Sequence, residues 1–386
     1  MSQVLVIDST YDTCREAIDL VFSTFPLDVR DKKVAVKMNA LKPCDPDREA
    51  FVTNYRLLKA VLEKLETLGP AEIVAGDSVG TEYYGLSEYV FDVTRLKEVS
   101  GPYYRNFNKD IKVIELEQPF RRKVAVLRHV LEADVYISVP KMKTHGLTRI
   151  SGAVKNNYGL LTGAQKSWYH YYCVKPERFA RILVEMFRLR PPDLVIMDAI
   201  LAMEGFGPAS PETRWVNKVL ASDDAVALDR VEAEIIGFGV EDVPYLQIAR
   251  DLSLGETDLD AIKVIGDLST IQEYHRPTPP EASFSYKAGV GSGRTSIGYF
   301  RERVSYRPSI SADKCRHRHQ CEACVAICPT GALTKGSQVP ALDPSRCMIC
   351  CACKEVCDFS AVELHPDPEI MASLVREEDR LKKVES

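Results

Sequence analysis

Up to about residue 276 the apolar positions of this chain follow two rhythms in turn. Short, nearly unbroken apolar runs of strand length occur at Lys33-Val-Ala-Val-Lys37, Glu72-Ile-Val-Ala-Gly76, Val135-Tyr-Ile-Ser-Val139 and Asp193-Leu-Val-Ile-Met-Asp198. Between them apolar residues recur at helical spacing. Leu57, Leu58, Val61, Leu62 and Leu65 mark a helix over 54–68, which Gly69-Pro70 stops, and 122–132 and 179–189 read as further helices. Continuous apolar strands separated by helices predict an α/β fold, a mostly parallel sheet covered by helices on both faces.

Ligands of such sheets sit beyond the carboxyl ends of the strands. Lys37 and Asn39 follow the first run, Asp77 and Ser78 the second, Lys141, Lys143 and His145 the third, and Asp198 the fourth. Lys155, Asn156 and Glu204 come shortly after such ends. Lysines converging on one crevice bind a carboxylate or phosphate, and His145 or Asp77 is placed to move a proton. The catalytic candidates are therefore His145, Lys143, Lys155 and Asp77. The binding candidates are Lys37, Asn39, Lys141, Asn156 and Glu204. Turn and cap chemistry is the competing reading for any one of them.

Beyond residue 276 the pattern changes. Pro277, Pro279, Pro280 and Gly289-Val-Gly-Ser-Gly293 mark a linker over 277–305. Nine of the twelve cysteines then fall between Cys315 and Cys357. Cys347-Met-Ile-Cys350-Cys351-Ala-Cys353-Lys-Glu-Val-Cys357 contains C-x2-C-x2-C-x3-C, and Cys321, Cys324, Cys328 and Ala332 recur 29 positions on as Cys350, Cys353, Cys357 and Ala361. Cys315 misses that register by three, so the first half carries a three-residue insertion. Zinc needs only two C-x2-C pairs, and cysteines this dense cannot all pair as disulfides, so the spacing favours iron–sulfur ligation. Cys351 is surplus and reads as a small buried filler.

This block resembles the bacterial two-[4Fe–4S] ferredoxin domain over 306–366. The resemblance implies two [4Fe–4S] clusters, one on Cys315, Cys321, Cys324 and Cys357, the other on Cys347, Cys350, Cys353 and Cys328. Cys315-x5-Cys321 departs from the usual C-x2-C. Cys315 reaches its iron past a bulged loop, or His317 or His319 ligates, or the site holds three irons. The loop also reads as a basic patch that docks an acidic partner. Residues 367–386 read as a charged C-terminal helix.

Composition narrows the setting. The chain has 386 residues, 45% of them hydrophobic, and a formal net charge of −5, which argues for a packed core and against nucleic acid as a partner. No apolar run approaches a membrane span, and the start lacks a basic export region, so a reduced cytoplasm is expected.

Pro140-Lys-Met-Lys-Thr-His145, Ser151-Gly-Ala-Val-Lys155-Asn-Asn-Tyr-Gly159 and Met203-Glu-Gly-Phe-Gly-Pro208 resemble the DUF362 family. Val34-Ala-Val-Lys37-Met-Asn39, Val74-Ala-Gly-Asp77-Ser78 and Ala221-Ser-Asp-Asp-Ala-Val-Ala-Leu-Asp229 follow the same pattern. The resemblance assigns residues 1–276 to one domain and implies an iron–sulfur protein in which Lys37, Lys143, His145, Lys155 and Asn156 matter. The functional expectation is an oxidoreductase that moves electrons between two clusters and a small anionic ligand, with a redox partner protein. Two rivals are an electron carrier without a substrate site, and a non-redox α/β enzyme whose clusters are structural or sensing.

Overall fold

The computed structural model describes residues 1–80, 83–116, 123–173, 175–277, 306–316 and 320–368. The larger unit is built on strands β1 (Gln3–Asp8), β2 (Lys33–Met38), β3 (Glu72–Gly76), β4 (Ile111–Glu115), β5 (Lys123–Leu127), β6 (Val135–Val139), β7 (Lys141–His145), β8 (Arg149–Ile150), β9 (Leu194–Met203), β10 (Thr213–Ser222) and β11 (Lys263–Gly266). The main sheet runs β11-β1-β10-β9-β6-β2-β3, with β7 beside β9 and β8 on β7. Its β9-β6-β2-β3 half is parallel and β11 pairs parallel with β1, whereas β10 runs antiparallel to both neighbours. The connection from β9 to β10 is too short for a crossover, which forces that reversal. The fold is α/β with a largely parallel central sheet.

Helices α1 (Cys14–Thr24), α2 (Tyr55–Thr67), α3 (Ser87–Val93) and α4 (Leu96–Ser100) precede β4, and one turn, α5 (Arg128–Leu131), follows β5. Then come α6 (Ala153–Asn156), α7 (Gln165–Tyr172), α8 (Pro176–Leu189), α9 (Ala225–Ile236) and α10 (Pro244–Asp251). Alternation along β2 sends Val34 and Val36 into the core shared with α1 and α2, and Ala35 into the core shared with α8 and α9. Asn54 caps α2, its side chain accepting from Arg56 N.

Two expectations need correction. Residues 122–132 are not one helix: β5 pairs antiparallel with β4, and only α5 is helical. Val124 to Leu127 form a continuous buried apolar run, which periodicity alone cannot separate from a helix. The stretch 141–145 is a strand of the sheet rather than a loop after one. Asp229 of α9 accepts from Ala153 N and from Val154 N at 2.9 Å, capping α6.

Residues 306–368 form a small second unit with β12 (Tyr306–Ile310) antiparallel to β15 (Val362–Pro366) and β13 (Leu333–Thr334) antiparallel to β14 (Ala341–Leu342). The sequence repeat is structural. The turns of helix Ala323–Ile327 and Ala352–Glu355 start 29 residues apart, as do β13 and β15. Ile310 and Leu342, which close β12 and β14, each stand five residues before Cys315 and Cys347, so the insertion lies after Cys315. The small unit docks on the large one through Glu355, whose carboxylate accepts from Gly85 N (2.9 Å), Ser87 Oγ (2.7 Å) and Asn106 Nδ2 (3.1 Å). His317 and His319, most of the expected linker and nearly all of the expected C-terminal helix lie outside the described residues.

Candidate functional site

The carboxyl ends of β2 and β3 lie side by side, Lys37 opposite Gly76. With β7 and the turns of α6 and α7 they enclose a cavity of about 340 Å³. It is lined by Lys37, Asn39, Asp77, Lys143, His145, Lys155 and Asn156 from the expected set. Its floor is neutralised. Lys37 Nζ lies 2.7 Å from Asp77 Oδ1, both side chains buried, and Asp77 Oδ2 accepts from Ala40 N at 2.7 Å. Lys37 also donates to Asn156 Oδ1 (3.2 Å), and Asn156 Nδ2 donates to Ser138 Oγ (2.9 Å). Gly159 covers this pair: a Cβ there would fall 2.6 Å from Lys37 Nζ.

Among the described residues Lys143, Lys155 and Lys166 have no carboxylate within bonding reach. Lys143 donates to Asn39 Oδ1 and to Phe51 O (3.1 Å). Lys166 donates to Ser78 O (2.7 Å), Ser78 Oγ (2.8 Å) and Val79 O (2.7 Å). Lys155 has no hydrogen-bond or ion-pair partner among the described residues. Burial pushes Lys143 down to about 7, Lys166 to about 7 and Lys155 to about 8, and neighbouring lysines add to the effect.

Two histidines line the same cavity. His145 Nδ1 accepts from Leu147 N (3.1 Å) and Thr148 N (3.3 Å), so its neutral ring carries the proton on Nε2. Burial, then the charge of Lys155, holds its pKa well below the usual value. His170 Nδ1 lies 2.9 Å from Lys166 O, an acceptor only, so this ring is protonated on Nδ1. Burial brings His170 down to about 3. The neutral His145 ring thus presents an Nε2–H donor, whereas the His170 ring carries its proton on Nδ1.

Lys141 and Glu204 are not in this cavity. Alternation would place Lys141 on the face of Lys143 and His145, but the pairing of β7 with β9 shifts register between Lys141 and Lys143. Lys141 Nζ instead donates to Asp198 Oδ2 (2.8 Å) and Tyr11 OH (2.8 Å), all buried. Asp198 Oδ2 also accepts from Asn54 N (2.8 Å), so this group ties β7, β9, α2 and the chain before α1 together. Glu204 binds Arg214 Nε (2.6 Å) and His275 N (3.0 Å), bracing the end of β9. Lys166 was not among the expected residues; Tyr158 OH, which donates to Lys166 O (2.6 Å), holds it in place. Cys44 is no reactive thiol: burial pushes it up to about 12.

In the small unit Cys328, Cys347, Cys350, Cys351 and Cys353 line one cavity with Leu333, Leu342 and Met348. Burial raises Cys350 to about 12, and the adjacent Cys347 and Cys328 add to it. Cys324 is raised to about 11 by burial and by Cys357, Cys315 and Cys321 around it. Each group of four takes three thiols from one half of the repeat and one from the other. Among the described residues no three His, Cys, Asp or Glu side chains converge on a single ion. Bound iron would stabilise the thiolates against the burial and mutual repulsion that raise these thiols, so the donor set fits. Cys351 packs with Tyr84 and Ala164, as a filler.

Among the described residues no helix is long and apolar enough to cross a membrane. The chain is 28% identical over 233 residues to a thylakoid-associated protein of Synechocystis sp., covering 58% of this chain and 69% of that one. It also aligns at 12% identity with the lactate racemase apoprotein of Thermoanaerobacterium thermosaccharolyticum, TM-score 0.38, covering 58% of this chain and 55% of that one. A Thermotoga maritima protein aligns with TM-score 0.36 and 12% identity, covering 56% of each chain. The chain thus spans a little over half the length of those two structures. Residues 34–234 match the domain of unknown function DUF362, and since this is more than half its length the chain belongs to the DUF362 family.

Proposed function

We propose that this protein is an iron–sulfur oxidoreductase acting on a small, multiply charged anion. In this reading Cys315, Cys321, Cys324 and Cys357 hold one [4Fe–4S] cluster and Cys347, Cys350, Cys353 and Cys328 the other. Bound clusters supply one-electron chemistry at potentials set by charge, hydrogen bonding and exposure. The observation that carries the reading is that one layer separates a lysine-lined pocket from a thiol-lined cavity: Ser78, in the wall of the pocket, lies against Cys350 and Cys351, which line the cavity.

The chain's own residues do the rest. Lys143, Lys155 and Lys166 bind and polarise negative charge, since no protein carboxylate is bonded to them. Lys37 and Asp77 neutralise each other and shape the floor. His145 Nε2–H donates a hydrogen bond to a ligand oxygen, and the Lys143 and Lys166 ammoniums, with pKa values near neutrality, are able to release a proton as negative charge builds. An electron carrier without a substrate site gives no role to Lys155 in the pocket.

The deciding experiment is iron analysis and electron paramagnetic resonance on anaerobically purified protein, with sulfate titrated calorimetrically on the same sample. About eight irons, a reduced cubane signal and one sulfate site support the proposal. Absence of iron overturns the redox half, and absence of sulfate binding overturns the anion half.

A further inference from the structure

One strip of chain belongs to both the pocket and the thiol module. Ala164 N donates to Ile349 O at 3.2 Å, immediately before Cys350 and Cys351. The neighbouring Gly163, at φ +55°, lies so close that an added Cβ would fall 2.3 Å from Cys350 O. Only glycine allows this backbone-to-backbone approach. Two residues on, Lys166 begins the reach of α7 into the pocket, where it lines the wall and grips Ser78 and Val79. Ser78 and Val79 in turn close over Cys350 and Cys351 together with Glu355. Cys350 therefore sits one layer from the pocket, and Lys166 spans that layer.

The other set of thiols has a different setting. Cys315 is followed by the exposed Arg316, and Cys357 by the exposed Asp358 and by Phe359, 47% exposed. Arg316 stacks over the Phe359 ring, 5.9 Å from its centroid. This end of the module faces solvent.

We infer that the two thiol sets are unequal. The set Cys328, Cys347, Cys350 and Cys353 is inboard, and Lys166 is the positioning residue that couples it to whatever occupies the pocket. The set Cys315, Cys321, Cys324 and Cys357 is outboard and electrically remote from the pocket. The inference rests on the iron–sulfur reading above. Its physical basis is that a cluster's potential follows the charge around it. Among the described residues Lys166 donates only to neutral oxygens, with Asp77 and Glu355 acting on it from farther off, so its charge reaches across the layer, while interactions over longer distances through solvent are screened.

The test is a redox titration of the full-length holoprotein at pH 6.5, followed by paramagnetic resonance, after counting iron. Lys166→Met is expected to lower one midpoint potential and leave the second in place, whereas Arg316→Gln lowers the second alone. Sulfate added to the wild-type protein should lower the same midpoint that Lys166→Met lowers, and this measurement needs no variant to fold. The inference is overturned if sulfate and both substitutions act on one midpoint, or if neither Lys166→Met nor sulfate moves either. An iron count far below two cubanes would instead bring down the iron–sulfur reading itself. Intact clusters with unresponsive midpoints would bring down only the inboard assignment.

Discussion

Lys141 and Lys143 stand two residues apart on one strand, both buried, and the fold treats them in opposite ways. Lys141 meets Asp198 and Tyr11 and is complete within the protein. Lys143 meets only an amide and a carbonyl oxygen, and with Lys155 and Lys166 it leaves positive charge in the cavity. A buried ammonium with its own carboxylate belongs to the scaffold. One bonded to neutral oxygens alone turns its positive charge to the cavity, with carboxylates such as Asp77 acting on it only from beyond bonding distance.

The most forceful way to break this contrast is to remove Lys141. Lys141→Met leaves Asp198 buried without its cation, and breaking such a pair costs about 3–5 kcal/mol. Urea unfolding should show that loss. A cost below about 1 kcal/mol would mean that Lys141 is as dispensable to the scaffold as the pocket lysines.

Lys155→Met should do the converse. It removes a charge that no protein group compensates, so stability should hold or rise. Sulfate affinity should fall by about 1.5–3 kcal/mol, the worth of a charged hydrogen bond, or roughly 10- to 150-fold. Calorimetry that finds unchanged affinity would remove Lys155 from the site. Gly159→Ala is subtler, since the added methyl meets the flexible end of Lys37. About 1 kcal/mol of destabilisation is expected, with weaker sulfate binding as the Lys37–Asp77 floor shifts. A variant more stable than wild type would show that Gly159 is not fitted to that pair.

Much of this was legible in the chain. The runs that became β2, β3, β6 and β9 are apolar because both faces of a covered sheet are buried, so their ends, and with them Lys37, Asp77 and Lys143, could be placed side by side. The cysteine repeat was legible because three ligands of each set come from one short loop. What failed is what depends on partners far along the chain. The shift between β7 and β9 that turns Lys141 away is a property of the pairing, and no residue in 141–145 announces it. β10 was missed because its first half is partly exposed and breaks the apolar run. Lys166 was overlooked because nothing local marks a lysine whose acceptors, Ser78 and Val79, lie 87 or more residues away.

The smallest effect is also the sharpest test, because it appears as two opposite slopes. In the ligand-free protein Lys143 and Lys166 titrate near 7 and Lys155 near 8, all below the value of about 10.4 that lysine has in an unfolded chain. Between those limits the unfolded chain binds more protons than the native one. These three groups therefore make the native state more stable as pH rises from about 7 to 10. An anion in the pocket favours the charged ammoniums, so its binding takes up protons and weakens as pH rises through 7–8. Sulfate is the probe because its own charge is constant over this range. Thermal unfolding without sulfate should shift upward between pH 7 and 9, while calorimetric sulfate affinity falls and its enthalpy depends on the buffer's ionisation heat. Lys155→Met should flatten both slopes, and Lys141→Met, whose lysine has its carboxylate already, should leave the sulfate slope as it was. Affinity that is flat across pH 7–9 would mean these lysines are already charged in the empty pocket, and the contrast between the two halves of β7 would fail.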